Sequence, residues 1–165
     1  MEEVQCGNEK KGLEVGIAII SKFRNYDFEA PYTSSKDFPA LTEHYCKHIH
    51  TQWGVGDATC NNGLMVFISI QDRHLYISTG KGIKHIITDH FIEKWLIPNT
   101  MAPWMKQQRY DQALLEMLLV VQEIIENQHD LSKSSVHRQY DEQVKSTERI
   151  EWIVMSIIGA VILGV

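Results

Sequence analysis

The chain has 165 residues, of which 44% are hydrophobic, enough for one domain with an appendage and a buried core. Its formal net charge is −5, with 16 Lys and Arg against 21 Asp and Glu. The basic residues are scattered among acids, so there is no cationic field to neutralise phosphates, which excludes a nucleic-acid partner.

Residues 1–12, MEEVQCGNEKKG, are polar and acidic and contain no hydrophobic signal core, so the expectation is an N-terminal segment that has lost what preceded it. Leu13–Phe23 (LEVGIAIISKF) is short, apolar and rich in β-branched residues, which predicts a central strand. Asn25–Lys36 holds Tyr, Pro, Thr and Ser and reads as a loop. Asp37 is placed to cap a helix whose first turn tolerates Pro39. Phe38, Leu41, Tyr45, Ile49 and Trp53 then recur at helical spacing, giving that helix an apolar face. His44 and His48 lie one turn apart beside Cys46 and His50, a spacing that zinc can use, but no HExxH pattern accompanies them and a solvated face is expected.

Leu64–Ile70 is almost continuously apolar, as in a strand buried on both faces, whereas His74–Ser78 alternates in the manner of a strand with unlike faces. Gln71-Asp72-Arg73 leaves room only for a tight turn, so the pair forms an antiparallel hairpin. Strand, helix and strand make a βαβ unit if the strands run parallel, and the hairpin converts the sheet to a mixed one. Strands about 5 Å apart bring the entry and exit loops of a hairpin to one end. Asp57–Gly63 and Gly80–Asp89 should therefore converge there. Asp57, Asn61, Asn62 and Asp89 supply hard oxygen donors, which suit calcium better than a catalytic zinc. Gly54, Gly56, Gly63, Gly80 and Gly82 mark the loops, and Gly80 and Gly82 allow close backbone approach. Neither Gly54-Val-Gly56 nor Gly80-Lys-Gly82 fits a phosphate-loop pattern, which argues against nucleotide binding.

Asp89 is expected to cap a short helix through Phe91, Ile92, Trp95 and Leu96, stopped by Pro98. A connection with Pro103 follows, and Asp111 then caps a helix over Gln112–Asn127. Leu114, Leu115, Leu118, Val121, Ile124 and Ile125 are the expected core face of that helix. Residues 128–149 are polar and mixed in charge and read as a stalk, helical after Ser135. Residues 150–165 include WIVMSIIGAVILGV and read as the start of a transmembrane helix, although a full span needs about 20 apolar residues. The competing reading is a C-terminal core helix. Together these elements predict a three-layer α/β sandwich over residues 13–127, with a mixed sheet of about four strands flanked by helices.

The stretch WGVGDATCNNGLMVFISIQDRHLYISTGKGIKHIITD resembles the signature of the TPM domain family. The matching pieces are Asn61-Asn62-Gly63, Asp72-Arg73, Gly80-Lys81-Gly82 and Asp89, and Tyr110-Asp111 before an apolar helix extends the likeness. Trp53-Gly54-Val55-Gly56-Asp57 and Cys60 resemble the animal branch that modulates levamisole receptors. This resemblance implies a single-pass plasma-membrane protein with an extracellular domain, acting as an auxiliary subunit of an acetylcholine-gated, levamisole-sensitive channel. The alternative that the family implies is a metal-assisted acid phosphatase, here without a Cys-x5-Arg loop or a DxDx[TV] pair, so the metal would rest on Asp57, Asn61, Asn62 and Asp89. Of the three cysteines, Cys46 and Cys60 would bridge the first helix to the loop in an oxidising compartment, leaving Cys6 over; in a reducing one all three are thiols. The likeness to an extracellular branch favours the disulfide.

Overall fold

The computed structural model describes residues 3–6, 8–24, 37–128 and 133–163, the last twelve of them as backbone only. The expected loop at 25–36 lies outside these residues, as does the start of the stalk at 129–132. The chain divides into two compact units, Met1–Glu93 and Lys94–Val165.

In the first unit, β1 (Glu3–Cys6) and β2 (Glu9–Gly12) form an antiparallel hairpin of their own, which puts structure where only a polar N-terminal segment was expected. Next come β3 (Glu14–Ile20), α1 (Phe38–Gln52), β4 (Gly63–Ser69) and β5 (His74–Thr79). β3 runs parallel to β4, with Val15 opposite Leu64 and Ile17 opposite Val66, and α1 is the crossover between them. β5 returns antiparallel to β4, with Met65 opposite Ser78. The result is an α/β fold with a mixed sheet ordered β3-β4-β5, three strands among the described residues rather than about four.

Every residue of β4 is buried, as its unbroken apolar run requires of a central strand. α1 packs on β4 and β5. Between helix and sheet lies a core of Phe23, Leu41, Cys46, Ile49, Met65 and Phe67. Phe23 is its aromatic hub, with ring centroids 5.7 Å from Phe67 and 5.9 Å from both Phe38 and Tyr45. The β4–β5 turn places Arg73 at a φ of 59°, and Asp72 Oδ2 accepts from Phe23 N at 2.8 Å and from Ser69 Oγ at 2.5 Å. One carboxylate thus ties the turn to the end of β3.

Helix starts differ from expectation in a consistent way. Asp37 stands at the start of α1, but its side chain makes no capping hydrogen bond. Thr88, not Asp89, caps α2 (Asp89–Phe91), its Oγ1 accepting from Phe91 N at 3.1 Å in extended backbone. Asp89 sits in the first turn instead and pairs with Lys84 at 2.8 Å.

The chain then continues as a π-helix over Ile92–Met101, so Pro98 does not end it. In an α-helix the proline ring would collide with the carbonyl four residues earlier, and the wider π turn moves that carbonyl aside.

The second unit holds α3 (Ala102–Met105), α4 (Tyr110–Glu126) and α5 (Ser135–Leu163). α4 buries Ala113, Met117, Val121, Ile124 and Ile125, while Leu115 is 50% exposed. Its buried stripe is therefore rotated from the expected one at the N-terminal half. Asp111 is a first-turn residue of α4 rather than its cap. Glu123 Oε1 accepts from Ser135 N at 2.7 Å and from Val136 N at 3.3 Å, so a carboxylate of α4 caps α5. α5 is one continuous helix of 29 residues. No described helix is long and apolar enough to cross a membrane, so the expected C-terminal transmembrane helix is not found. Residues 135–151 of α5 are largely polar, and a span needs about 20 apolar residues.

Candidate functional site

The two loops at the open end of the β4–β5 hairpin do converge. Gly80 N donates to Gly63 O at 2.8 Å, and Gly82 N donates to Asn61 O at 3.0 Å. The approach is close enough that a Cβ on Gly80 would strike the backbone oxygen of Asn61, and one on Gly82 that of Cys60. Glycine is required at both positions by backbone proximity.

Beside this junction, between the end of α1 and the end of β5, lies a cavity of about 420 Å³. Its walls include Lys47 and His50 of α1, Val55, Asp57 and Asn61 of the connecting loop, and Ser78 of β5, with Gly54, Gly56 and Gly80 at the loop ends. Lys81 stands exposed at its rim, and among the described residues no ion pair engages it. All of these residues belong to the first unit.

His50 is the most buried polar side chain of this lining, only 9% exposed. Its Nε2 lies 3.1 Å from Val55 O and its Nδ1 lies 2.9 Å from Ser78 Oγ. A carbonyl can only accept, so Nε2 carries the proton and Nδ1 accepts from the Ser78 hydroxyl. Burial pushes the His50 pKa down against the opposing pull of the Val55 carbonyl, which keeps the ring neutral near pH 7.

Asp57, Asn61, Asn62 and Asp89, the oxygen donors expected for calcium, each have other engagements or a turn role in this structure. Asp57 Oδ2 meets Lys11 Nζ at 2.6 Å, and its Oδ1 accepts from Thr59 N at 2.8 Å. Asn62 is fully buried, its Oδ1 accepting from Asp57 N at 2.8 Å and its Nδ2 donating to Gly12 O at 2.6 Å. Asn61 adopts a left-handed turn with φ 51°, and Asp89 is held by Lys84. Calcium takes roughly six to eight oxygens, and the two carboxylates among these donors are each paired with a lysine. The Lys11 ammonium already supplies the positive charge at Asp57. Among the described residues no group of three or more His, Cys, Asp or Glu is disposed to hold a metal. His44 and His48 stack on the exposed face of α1 with centroids 6.4 Å apart.

The Lys11 hydrogen bond, with help from Thr59 N, draws the Asp57 carboxyl down to about 2. A depressed carboxylate stabilises the fold above its unfolded pKa, and that contribution is lost as the pH falls through the folded value. Lys11→Ala is therefore expected to return the Asp57 pKa towards 3.8 in an NMR titration of its side-chain carboxyl carbon. An unchanged value would show that Lys11 is not its cause.

The disulfide joins Cys6 to Cys60, not Cys46 to Cys60, across a Cα–Cα distance of 5.0 Å. Cys46 faces the sheet, fully buried, with its thiol directed at Met65 O and Tyr76 O. Burial pushes that thiol up to about 12, so it is an inert core group. Cys6 is brought to Cys60 by the β1–β2 hairpin, which was not anticipated.

The family model described as the TPM domain matches residues 7–124. This chain belongs to the TPM domain family. No curated protein matches it. Among solved structures, the TPM chain is similar to the N-terminal domain of a protein from P.gingivalis, at 23% identity and a TM-score of 0.54. That match covers 70% of this chain and 64% of the other, so the TPM chain spans less than two thirds of it. A second likeness is to the BA42 protein of the psychrophilic bacterium Bizionia argentinensis, at 14% identity and a TM-score of 0.49, covering 65% of this chain and 62% of that one. At the identity of the first match, the shared property is the fold.

The expected open end of the hairpin and its glycines coincide with the cavity of the TPM domain. His50 and Ser78 were missed as a pair. A signal was present, since His50 follows the core residue Ile49 and Ser78 shares the strand parity of Tyr76.

Proposed function

We propose that this TPM domain is the extracellular part of a membrane-anchored auxiliary subunit of an acetylcholine-gated, levamisole-sensitive channel. The Cys6–Cys60 disulfide is the observation that carries the extracellular assignment, because such bonds persist in oxidising compartments. The anchored arrangement rests on the amino-acid sequence, since no described helix is long and apolar enough to cross a membrane. The 29 residues of α5 reach about 43 Å at 1.5 Å per residue, and the helix turns from polar to apolar after Glu151. The apolar end is read as the part that meets the bilayer.

A tether of this kind keeps the domain beside a membrane partner at high effective concentration, so a weak contact is enough for occupancy. To change gating, that contact must be stronger in one channel state than in the other. Co-expression with a levamisole-sensitive receptor is expected to enlarge agonist-evoked currents, and release of the domain by cutting within α5 is expected to abolish the gain. Currents unchanged by the anchored protein would remove the channel role. Calcium has no part in this reading, because Asp57 and Asp89 are engaged by Lys11 and Lys84.

A further inference from the structure

We propose that Ser78 is a nucleophile and His50 its general base, and that the cavity they share hydrolyses small acyl esters bearing a negative charge. This is independent of the channel reading, since it rests on the cavity alone. The Ser78 hydroxyl is 2.9 Å from His50 Nδ1, within reach for proton transfer, and the ring is oriented through its other nitrogen by Val55 O at 3.1 Å. A nucleophile, a base and a group that orients the base are thus in series, with the ring turned so that Nδ1 rather than Nε2 faces the serine.

Both side chains line the same cavity, whose volume of about 420 Å³ lies within the range used for small ligands. The cysteine thiols are silenced. Cys6 and Cys60 are bonded to each other, and the Cys46 thiol is buried and held protonated. The charged groups that share the lining are Lys47, Asp57 and Lys81. Asp57 is neutralised by Lys11 and Lys47 by Glu43, which leaves Lys81 as the cation that selects an anionic substrate.

In the step itself, Ser78 Oγ attacks the ester carbonyl carbon while its proton passes to His50 Nδ1. The tetrahedral adduct collapses with cleavage of the bond to the leaving alcohol, which takes the proton back from His50. Water then attacks the acyl-serine, His50 again accepting the proton, and the acid departs as Ser78 recovers its own. Only a carbonyl dipole at Val55 stabilises the imidazolium, so turnover should be slow compared with a triad completed by a carboxylate.

The test uses the full chain with an alkyl fluorophosphonate probe and two substrates, 4-nitrophenyl hemisuccinate and 4-nitrophenyl butyrate. Peptide mass spectrometry is expected to place the phosphonyl adduct on Ser78. The anionic ester should be cleaved faster than the neutral one, with that preference lost in Lys81→Ala. Ser78→Ala should remove both labelling and hydrolysis, and His50→Gln should lower the hydrolytic rate about 100-fold. Because His50→Gln also removes a staple of α1, Ser78→Cys provides a folding-independent arm. Its thiol, beside the same base, should be alkylated by iodoacetamide at neutral pH, whereas wild-type Cys46 stays unmodified. No adduct on Ser78, or hydrolysis that persists in Ser78→Ala, would overturn the proposal and leave the pair as a structural staple.

Discussion

Phe67→Ala is expected to destabilise the first unit by about 3–5 kcal/mol, the largest effect of any single side-chain truncation in its core. Phe67 is completely buried in the central strand. Its ring meets Phe23 at 5.7 Å and Tyr45 at 5.3 Å, so it joins the end of β3, the middle of α1 and the sheet. Removing it leaves a void bounded by rings that cannot all move inward, because Phe23 also packs on Phe38 and its backbone N–H is held by Asp72. A typical domain has only about 5–15 kcal/mol in hand. Chemical denaturation should show a lower midpoint with an unchanged slope. A loss below about 1 kcal/mol would mean that the aromatic cluster is not the organising core described above.

Cys60→Ser is expected to cost about 4 kcal/mol in the chain-entropy account of disulfides, given the sequence separation of 54 between Cys6 and Cys60. The consequence goes beyond a lower melting temperature. β1 and β2 contribute only four residues each, and an isolated hairpin of that size is at best marginal in water. Without the bridge the hairpin is free to leave, taking Lys11 from Asp57 and Gly12 O from Asn62. The loop that walls the cavity should then lose its hydrogen-exchange protection together with β1 and β2. Non-reduced peptide mapping checks the premise: a Cys6–Cys60 linked peptide with Cys46 as a thiol, accessible only after denaturation. A peptide linking Cys46 to Cys60 would overturn it.

The same bridge sharpens the functional reading. An oxidising compartment favours it, and it lies one residue from Asn61, on the loop that lines the cavity. Conditions that reduce it should therefore alter any activity of Ser78 and His50 as well as stability. Phe67→Ala and Cys60→Ser can both be read by thermal melts before any assay of channel currents or ester hydrolysis.

Much of the first unit was legible from local pattern. The unbroken run Leu64–Ile70 and the alternation His74–Ser78 specify β4 and β5 because burial on two faces and burial on one face select different periods. Phe38, Leu41, Tyr45 and Ile49 specify the sheet-facing side of α1 for the same reason, whereas Trp53, expected on that face, is the C-cap and is 58% exposed. The glycines of the two loops announced a close approach, and Gly80 and Gly82 make it against Asn61 and Cys60. Family membership followed from motifs that are contiguous in the chain, and the match over residues 7–124 bears it out.

What the sequence could not decide depends on partners distant along the chain. Acidic residues at helix starts looked like caps, yet Thr88 took that role at α2, where extended backbone aims its hydroxyl at Phe91 N. The ion pair of Asp57 with Lys11 exists only because the β1–β2 hairpin brings Lys11 to it. The sequence pointed to Cys46 as the partner of Cys60 and left Cys6 over. Only the fold puts one against the sheet and the other 5.0 Å away, Cα to Cα. His50 and Ser78 are 28 residues apart and carry no motif between them. Their hydrogen bond exists because the parallel register of β3 and β4 fixes where α1 crosses, and the antiparallel register of β4 and β5 sets Ser78 beneath its last turn. Periodicity determines which face a residue occupies, but which residue it meets across that face is set by register, and register is a property of the assembled sheet.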